Sequence, residues 1–267
     1  MKKNKIIIVV RIFFALLVWF GIYKGYAIFL EPMLETHMSD NLTLIVRSML
    51  VPYTVALGAF YLIVMGMKKG NNETDAQADV YAVNPSVGFL LKAFMIQMGI
   101  SMPATIIVGN IVRLLGLPTG SIGAEEIFGN QFFIYLIMLL LFNPIMEEVL
   151  FRKLVLDRLR ALGDVPAVII SAGLFALPHL YSQGIAQMLA TFIIGIVWAY
   201  VRVKTGKLWP CMILHSLYNM YGCYLALLMA KTAPTTILFL LISVIILPIA
   251  AVLILSRENK KKVAVNL

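Results

Sequence analysis

Charge is scarce in this chain of 267 residues. Asp, Glu, Lys and Arg together make up 13% of it, whereas hydrophobic residues make up 61%. An ordinary soluble domain carries about 25% charged residues. This shortage excludes the usual soluble composition and predicts an integral membrane protein.

Acidic residues are the scarcer of the two charge types, with 13 Asp and Glu against 22 Lys and Arg, for a net charge of +9. In a soluble domain such an excess would suggest nucleic-acid binding. Here the basic residues lie mainly in short tails and loops between apolar runs, where they set topology and face anionic lipid. We therefore expect membrane lipids as partners and no nucleic acid.

Cysteine is also rare, and its spacing excludes two classes of site. Cys211 and Cys223 lie in one apolar run, and a continuous helix would separate them by roughly 18 Å, too far for a disulfide. Neither belongs to a CxxC pattern, and the chain has no HExxH. A zinc site would therefore need ligands from separate segments.

Long apolar runs are what the chain does contain. Their lengths suit helices that cross a lipid bilayer, and the join at 181–184 is short enough to require an antiparallel helical pair. We find no internal repeat and no soluble domain, and the polar segment 70–85 is predicted to be a cytoplasmic loop. The sequence predicts an all-α polytopic bundle of about eight transmembrane helices, a single membrane domain over residues 1–267. The predicted spans are 6–29, 43–67, 87–114, 131–156, 165–182, 185–203, 208–229 and 234–255.

The loop charges indicate the orientation of these spans. With the N-terminus in the cytoplasm, most Lys and Arg residues fall on the cytoplasmic side, as the positive-inside rule requires. This pattern predicts an even number of spans with both termini in the cytoplasm. The outer loops would then hold Glu31, Glu35, Asp40, Glu125, Glu126 and Lys231.

One polar cluster lies deep in the fourth span, at Glu147, Glu148 and Arg152. Arg152 follows Glu148 by four residues, so the two share a helix face and suit an ion pair. Glu147 points about 100° away and has no local cation. We assign Glu148 and Arg152 to structure and Glu147 to chemistry. The alternative is that the cluster marks the membrane interface.

Two further clusters lie in later spans, at His179 and at His215 with Asn219. At 1.5 Å per residue, Glu147 reaches a depth of about 15–20 Å and His179 one of roughly 20 Å, whereas His215 lies shallower. His215 and Asn219 are four residues apart and share a helix face. A satisfied core histidine and a helix–helix contact are the alternatives for His179 and Asn219.

Together these clusters spell EExxxR at 147–152, FxxxH at 175–179 and HxxxN at 215–219. In this order they resemble the CPBP intramembrane proteases, also called the CAAX protease and bacteriocin-processing or Abi family, over about residues 130–220, the expected catalytic core. The resemblance implies a bacterial cell membrane protein. It also implies that Glu147 and His179 activate a water while His215 and Asn219 face the oxyanion, with Glu148 and Arg152 in support.

The resemblance further implies an endopeptidase for hydrophobic or lipidated, CAAX-like peptides or membrane-protein termini. We expect no cofactor. The alternative is zinc, held by Glu147, His179 and His215. A second functional class is a non-catalytic bacteriocin-immunity or regulatory protein that binds a peptide or membrane partner. A proton-coupled transporter is disfavoured by the lack of repeats, and the oligomeric state is left open.

Overall fold

The computed structural model describes residues 2–67, 83–116 and 123–265. Within these ranges all regular secondary structure is helical, because a helix satisfies its own backbone hydrogen bonds where no water can. The all-α prediction is confirmed. The helices are α1 (Lys5–His37), α2 (Asp40–Val64), α3 (Val87–Leu114), the short α4 (Ala124–Phe128), α5 (Phe132–Leu162), α6 (Asp164–Thr205), α7 (Trp209–Met229) and α8 (Ala233–Glu258).

All of these except α4 are long and apolar enough to cross a membrane, which gives seven candidate spans among the described residues. Helix α6 is broken at Gly184, where φ is 82° and ψ is 179°, a conformation that essentially only glycine adopts. The two arms fold back on each other, because the rings of Phe175 and Trp198 lie 5.7 Å apart. The predicted antiparallel pair is confirmed, and dividing α6 gives eight long apolar helical segments.

Two predictions at the C-terminal end of α1 are wrong. Helix α1 continues to His37 rather than ending near residue 29, so Glu31 is helical and not a loop residue. Its side chain is 9% exposed and pairs at 2.9 Å with Arg47 of α2. The Arg47–Glu31 pair compensates both charges between α1 and α2, so the guanidinium of Arg47 binds a partner instead of only extending toward water.

Most of the predicted loop 70–85 lies outside the described residues, and the orientation of the termini stays a prediction.

The two cysteines are free, as their spacing predicted. Cys211 is buried and donates its S–H to the carbonyl of Trp198 at 3.2 Å. Cys223 is half-buried. Both therefore behave as small packing residues.

Helices α3 and α8 lie very close together at Gly99. A Cβ built on Gly99 would lie 2.8 Å from the Cβ of Ala251 and would collide with the carbonyl of Leu247. A clash with the end of a flexible side chain can be relieved by moving that side chain. At Gly99 the clash is with the backbone of Leu247, which cannot move aside in this way. The absence of a side chain at Gly99 thus sets the spacing of α3 and α8.

Replacing Gly99 with leucine is therefore expected to lower the free energy of unfolding by about 1–3 kcal/mol or more, the usual cost of overpacking. Thermal unfolding in detergent measures the change. Gly58→Leu adds the same side chain where no atom lies within 4 Å, and it serves as the control. Equal melting temperatures for the two variants would contradict the prediction.

Candidate functional site

The bundle brings the carboxylate cluster of α5 against the histidine of α7. His215 Nε2 lies 3.8 Å from Glu147 Oε2, and His215 Nδ1 lies 3.2 Å from Glu148 Oε1. His215 was predicted to lie shallower than Glu147. That estimate counted residues from the end of each helix and assumed that the helices run perpendicular to the membrane. Helix tilt changes the depth of a residue without changing its distance along the helix.

Glu148 and Arg152 form the predicted ion pair, with Arg152 Nε 3.1 Å from Glu148 Oε2 and both side chains fully buried. The guanidinium also lies over the ring of Phe175, at 4.7 Å, and near that of Trp198, at 5.8 Å. Ring faces attract a desolvated cation. Glu148 is therefore a compensated buried carboxylate that also accepts from His215.

Glu147 is the more accessible carboxylate, with 16% of its side chain exposed. Its Oε1 accepts a hydrogen bond from the hydroxyl of Tyr53 in α2 at 3.3 Å. The backbone beside Tyr53 is fixed in turn, because the carbonyl of Pro52 accepts from Trp19 Nε1 at 2.8 Å. Sequence reasoning missed Tyr53, since a tyrosine in an apolar run has no motif to distinguish it from a core residue.

His179 is half-buried near the end of the first arm of α6. Its Nδ1 lies 3.1 Å from the carbonyl of Phe175. A carbonyl only accepts, so this contact assigns the proton to Nδ1 and leaves Nε2 as an acceptor in the neutral ring. The ring of Phe175 packs edge-on against both His179 and His215, with centroids 5.4 and 6.0 Å away. Both imidazoles therefore border one aromatic ring.

Asn219 makes a helix–helix contact, the alternative considered for it. Its Nδ2 donates to the carbonyl of Leu139 at 2.8 Å, and Ser216 donates to the carbonyl of Leu140 at 2.6 Å. Pro144 has no N–H to offer the carbonyls one turn before it, so α7 supplies the donors. An amide carries two N–H groups, and one of them is used in this bond.

Trp198, on the second arm of α6, is another residue that no motif indicated. Its ring is fully buried and stacks on His215 with centroids 4.2 Å apart and planes 22° apart. Its Nε1 donates to Gln97 of α3 at 2.7 Å. The imidazole of His215 is thus bounded by an aromatic face as well as by two carboxylates.

Of the three residues in the zinc alternative, the structure brings His215 close to Glu147 but does not arrange them with His179 as a set of metal ligands. Among the described residues, no group of three or more His, Cys, Asp or Glu side chains has the geometry to hold a metal ion. Nδ1 of His215 faces Glu148, and Nδ1 of His179 faces a backbone carbonyl. This set does not form a prearranged ligand cluster, and the expectation of no cofactor stays a prediction.

Comparison with known protein families gives a match over part of the chain. The family model described as type II CAAX prenyl endopeptidase Rce1-like matches residues 129–221, a segment that contains all three motifs. The chain has no significant match among the curated proteins or the solved structures. The family match and the apolar helices together support an integral membrane protein. Residues 129–221 are therefore similar to the type II CAAX prenyl endopeptidases of the Rce1-like family, and this part of the chain is called the Rce1-like segment below.

Proposed function

We propose that this protein is an endopeptidase that cleaves hydrophobic or lipidated, CAAX-like peptides with a water activated by Glu147 and His179. The observation that carries the proposal is the meeting of the three motifs within the Rce1-like segment: His215 lies 3.8 Å from Glu147, and the ring of Phe175 packs against both His215 and His179. A carboxylate that is largely shielded from water and lies near imidazoles from separate helices suits acid–base chemistry. A protein that only binds a peptide has little need of both Glu147 and His179.

In the proposed reaction the carboxylate of Glu147 takes a proton from water as the water oxygen attacks the scissile carbonyl carbon. The acceptor nitrogen of His179, Nε2, orients the same water by accepting its second hydrogen. Collapse of the tetrahedral intermediate breaks the C–N bond, and the leaving amine takes the proton from Glu147. The carboxyl group is thereby returned to its starting state.

The developing oxyanion needs donors, and α7 supplies them in this proposal. In this proposal His215 acts as an imidazolium, which carries two N–H groups: Nε2–H donates to the oxyanion while Nδ1–H is held by Glu148. Asn219 donates from the N–H not used by Leu139. Donors fixed in a dry site stabilise transition-state charge more strongly than they would in water. Glu148 and Arg152 support the site by keeping His215 in place.

The test is a cleavage assay with purified protein and a prenylated CAAX peptide, read by mass spectrometry of the released C-terminal fragment. An unprenylated peptide of the same sequence and a hydrophobic membrane-protein terminus define the substrate class. Peptide binding without cleavage would favour the immunity or regulatory alternative instead.

Replacing His179 with alanine is expected to lower kcat by about 10²–10⁴-fold, the usual contribution of a positioned acid–base group. The same assay measures the loss. His37→Ala changes an exposed histidine at the end of α1 and should leave the rate unchanged. A rate within twofold of wild type for His179→Ala would remove this residue from the mechanism.

Strong chelators are expected to leave the cleavage rate unchanged, because the proposed base and oxyanion donors are all protein groups. The measurement compares rates before and after dialysis against a chelator, with metal content followed by elemental analysis. Loss of activity that zinc restores would instead assign Glu147, His179 and His215 as zinc ligands.

A further inference from the structure

The position of His215 depends on a ring that lies outside the three motifs. Trp198 stacks on the imidazole with centroids 4.2 Å apart, so a shift of the indole would move or free the ring of His215. The carboxylates bind only the two ring nitrogens, at 3.2 and 3.8 Å. The face of the imidazole is therefore held by Trp198, with the ring of Phe175 packed edge-on beside it.

Trp198 is held in turn by one side chain of α3. Its ring is fully buried, so its single N–H requires a partner, and that partner is Gln97 Oε1 at 2.7 Å. The other end of the same amide, Gln97 Nε2, donates to the carbonyl of Leu214 at 3.0 Å. One amide thus binds both the ring that stacks on His215 and the backbone of the residue before His215.

Gln97 is itself well placed to act as a fixed point. Its side chain is fully buried, and its backbone carbonyl accepts from Ser101 at 2.6 Å. Two residues later, Gly99 packs tightly against α8. Both hydrogen bonds of the amide therefore start from a helix whose position is set by close packing.

We propose that Gln97 is a positioning residue for His215, acting through Trp198 and the Leu214 carbonyl. The expected effect of Gln97 on the cleavage rate rests on the proposed function, whereas its expected effect on the position of the His215 ring does not. Gln97 lies outside the Rce1-like segment, so a helix beyond the motifs completes the site. A small misplacement of a catalytic group can cost up to about a hundredfold in rate.

The first test is spectroscopic and needs no activity. In protein labelled with carbon-13 at histidine Cε1, ring current from Trp198 should shift the His215 signal upfield of the other two histidines. Gln97→Met, which keeps length and loses the amide, should move that signal toward its ordinary position and leave those of His37 and His179 in place. An unchanged His215 signal would overturn the proposal even if cleavage is never observed.

The second test is kinetic. Gln97→Met should lower kcat about tenfold or more with little change in KM, since the loss concerns a group used in the transition state. In a His215→Ala background the same substitution should have no effect on the residual rate. An equal loss in both backgrounds would show a general structural role and would also overturn the proposal.

Two variants complete the design. Trp198→Phe keeps an aromatic ring but removes the N–H donor together with one ring of the indole, so it should reproduce the kcat loss, and combining it with Gln97→Met should add little. If Gln97→Met does not fold, Trp198→Phe alone tests the proposal, and an unchanged kcat in that variant would overturn it. Gln131→Met makes the same chemical change at the start of α5, away from the site, and should alter neither the spectrum nor the rate.

Discussion

Cleavage of a prenylated peptide by the purified protein is expected to fall about a thousandfold or more when Glu147 is replaced by glutamine. Glutamine keeps the shape of the side chain and still accepts a hydrogen bond from Tyr53, which lies 3.3 Å from Glu147 Oε1. It does not accept a proton from water at neutral pH. The substitution therefore removes the base while leaving its surroundings in place.

The kinetic signature of this loss is as informative as its size. A base acts only in the transition state, so kcat and kcat/KM should fall together and KM should change little. Glu35→Gln makes the same change at an exposed glutamate of α1 and should leave both constants unchanged. The melting temperature in detergent should stay close to that of wild type, because glutamine keeps the shape of the Glu147 side chain and its hydrogen bond with Tyr53.

Two results would count against Glu147 as the base. A variant that keeps more than about a tenth of the wild-type kcat would retain too much activity for the loss of a general base. A variant that loses only affinity would place Glu147 in peptide binding instead.

The helical architecture was largely predictable because its cause is local. A run of about twenty apolar residues forms a helix in lipid whatever its neighbours are, and the third span, 87–114, is matched by α3 to the residue. The join before Gly184 was recognisable from its length alone. The end of α1 was not, because Glu31 is stabilised by Arg47, a partner sixteen residues away that no local pattern indicates.

The site was predictable only where its residues carry charge. Glu147, Glu148 and Arg152 attract notice because ionised groups in lipid are costly, and their helical spacing correctly predicted the ion pair. Tyr53 and Trp198 are ordinary members of apolar segments, so their contacts with Glu147 and His215 emerge only when the helices pack.

The pairing of groups across helices was the least predictable feature. The family resemblance implied a joint role for Glu147 and His179, and their estimated depths agreed, whereas the direct approach of an imidazole to Glu147 is made by His215. Residue counting gives position along one helix, but tilt and rotation follow from packing between helices. His179 and His215 nevertheless border the same ring, that of Phe175, so the three motifs do converge.

Replacing Arg152 with methionine is expected to lower the free energy of unfolding by about 3–5 kcal/mol, the cost of removing one partner of a buried pair. Methionine has a similar length but leaves the charge of Glu148, whose side chain is fully buried, without its cation. It also forfeits the attraction of the guanidinium to the rings of Phe175 and Trp198. Reversible unfolding in mixed detergent micelles measures the difference.

A double variant separates the lost ion pair from lost packing. Glu148→Gln combined with Arg152→Met removes both charges, and an oxygen remains to accept from His215 Nδ1. Buried pairs replaced by neutral groups are often no less stable than the original, so most of the lost free energy should return. Arg160→Met serves as control, because Arg160 pairs with Asp164 nearer the surface and such pairs contribute about 1 kcal/mol or less.

If the double variant is no more stable than Arg152→Met alone, the cost lies in the packing of the guanidinium against the rings and not in the stranded carboxylate. If Arg152→Met is as stable as wild type, the Arg152–Glu148 ion pair does not contribute to stability. The assigned support role of the pair requires that contribution, because Arg152 would hold the Glu148 carboxylate where it accepts from the Nδ1–H of His215. Cleavage rates measured on the same samples should therefore fall in Arg152→Met together with the stability.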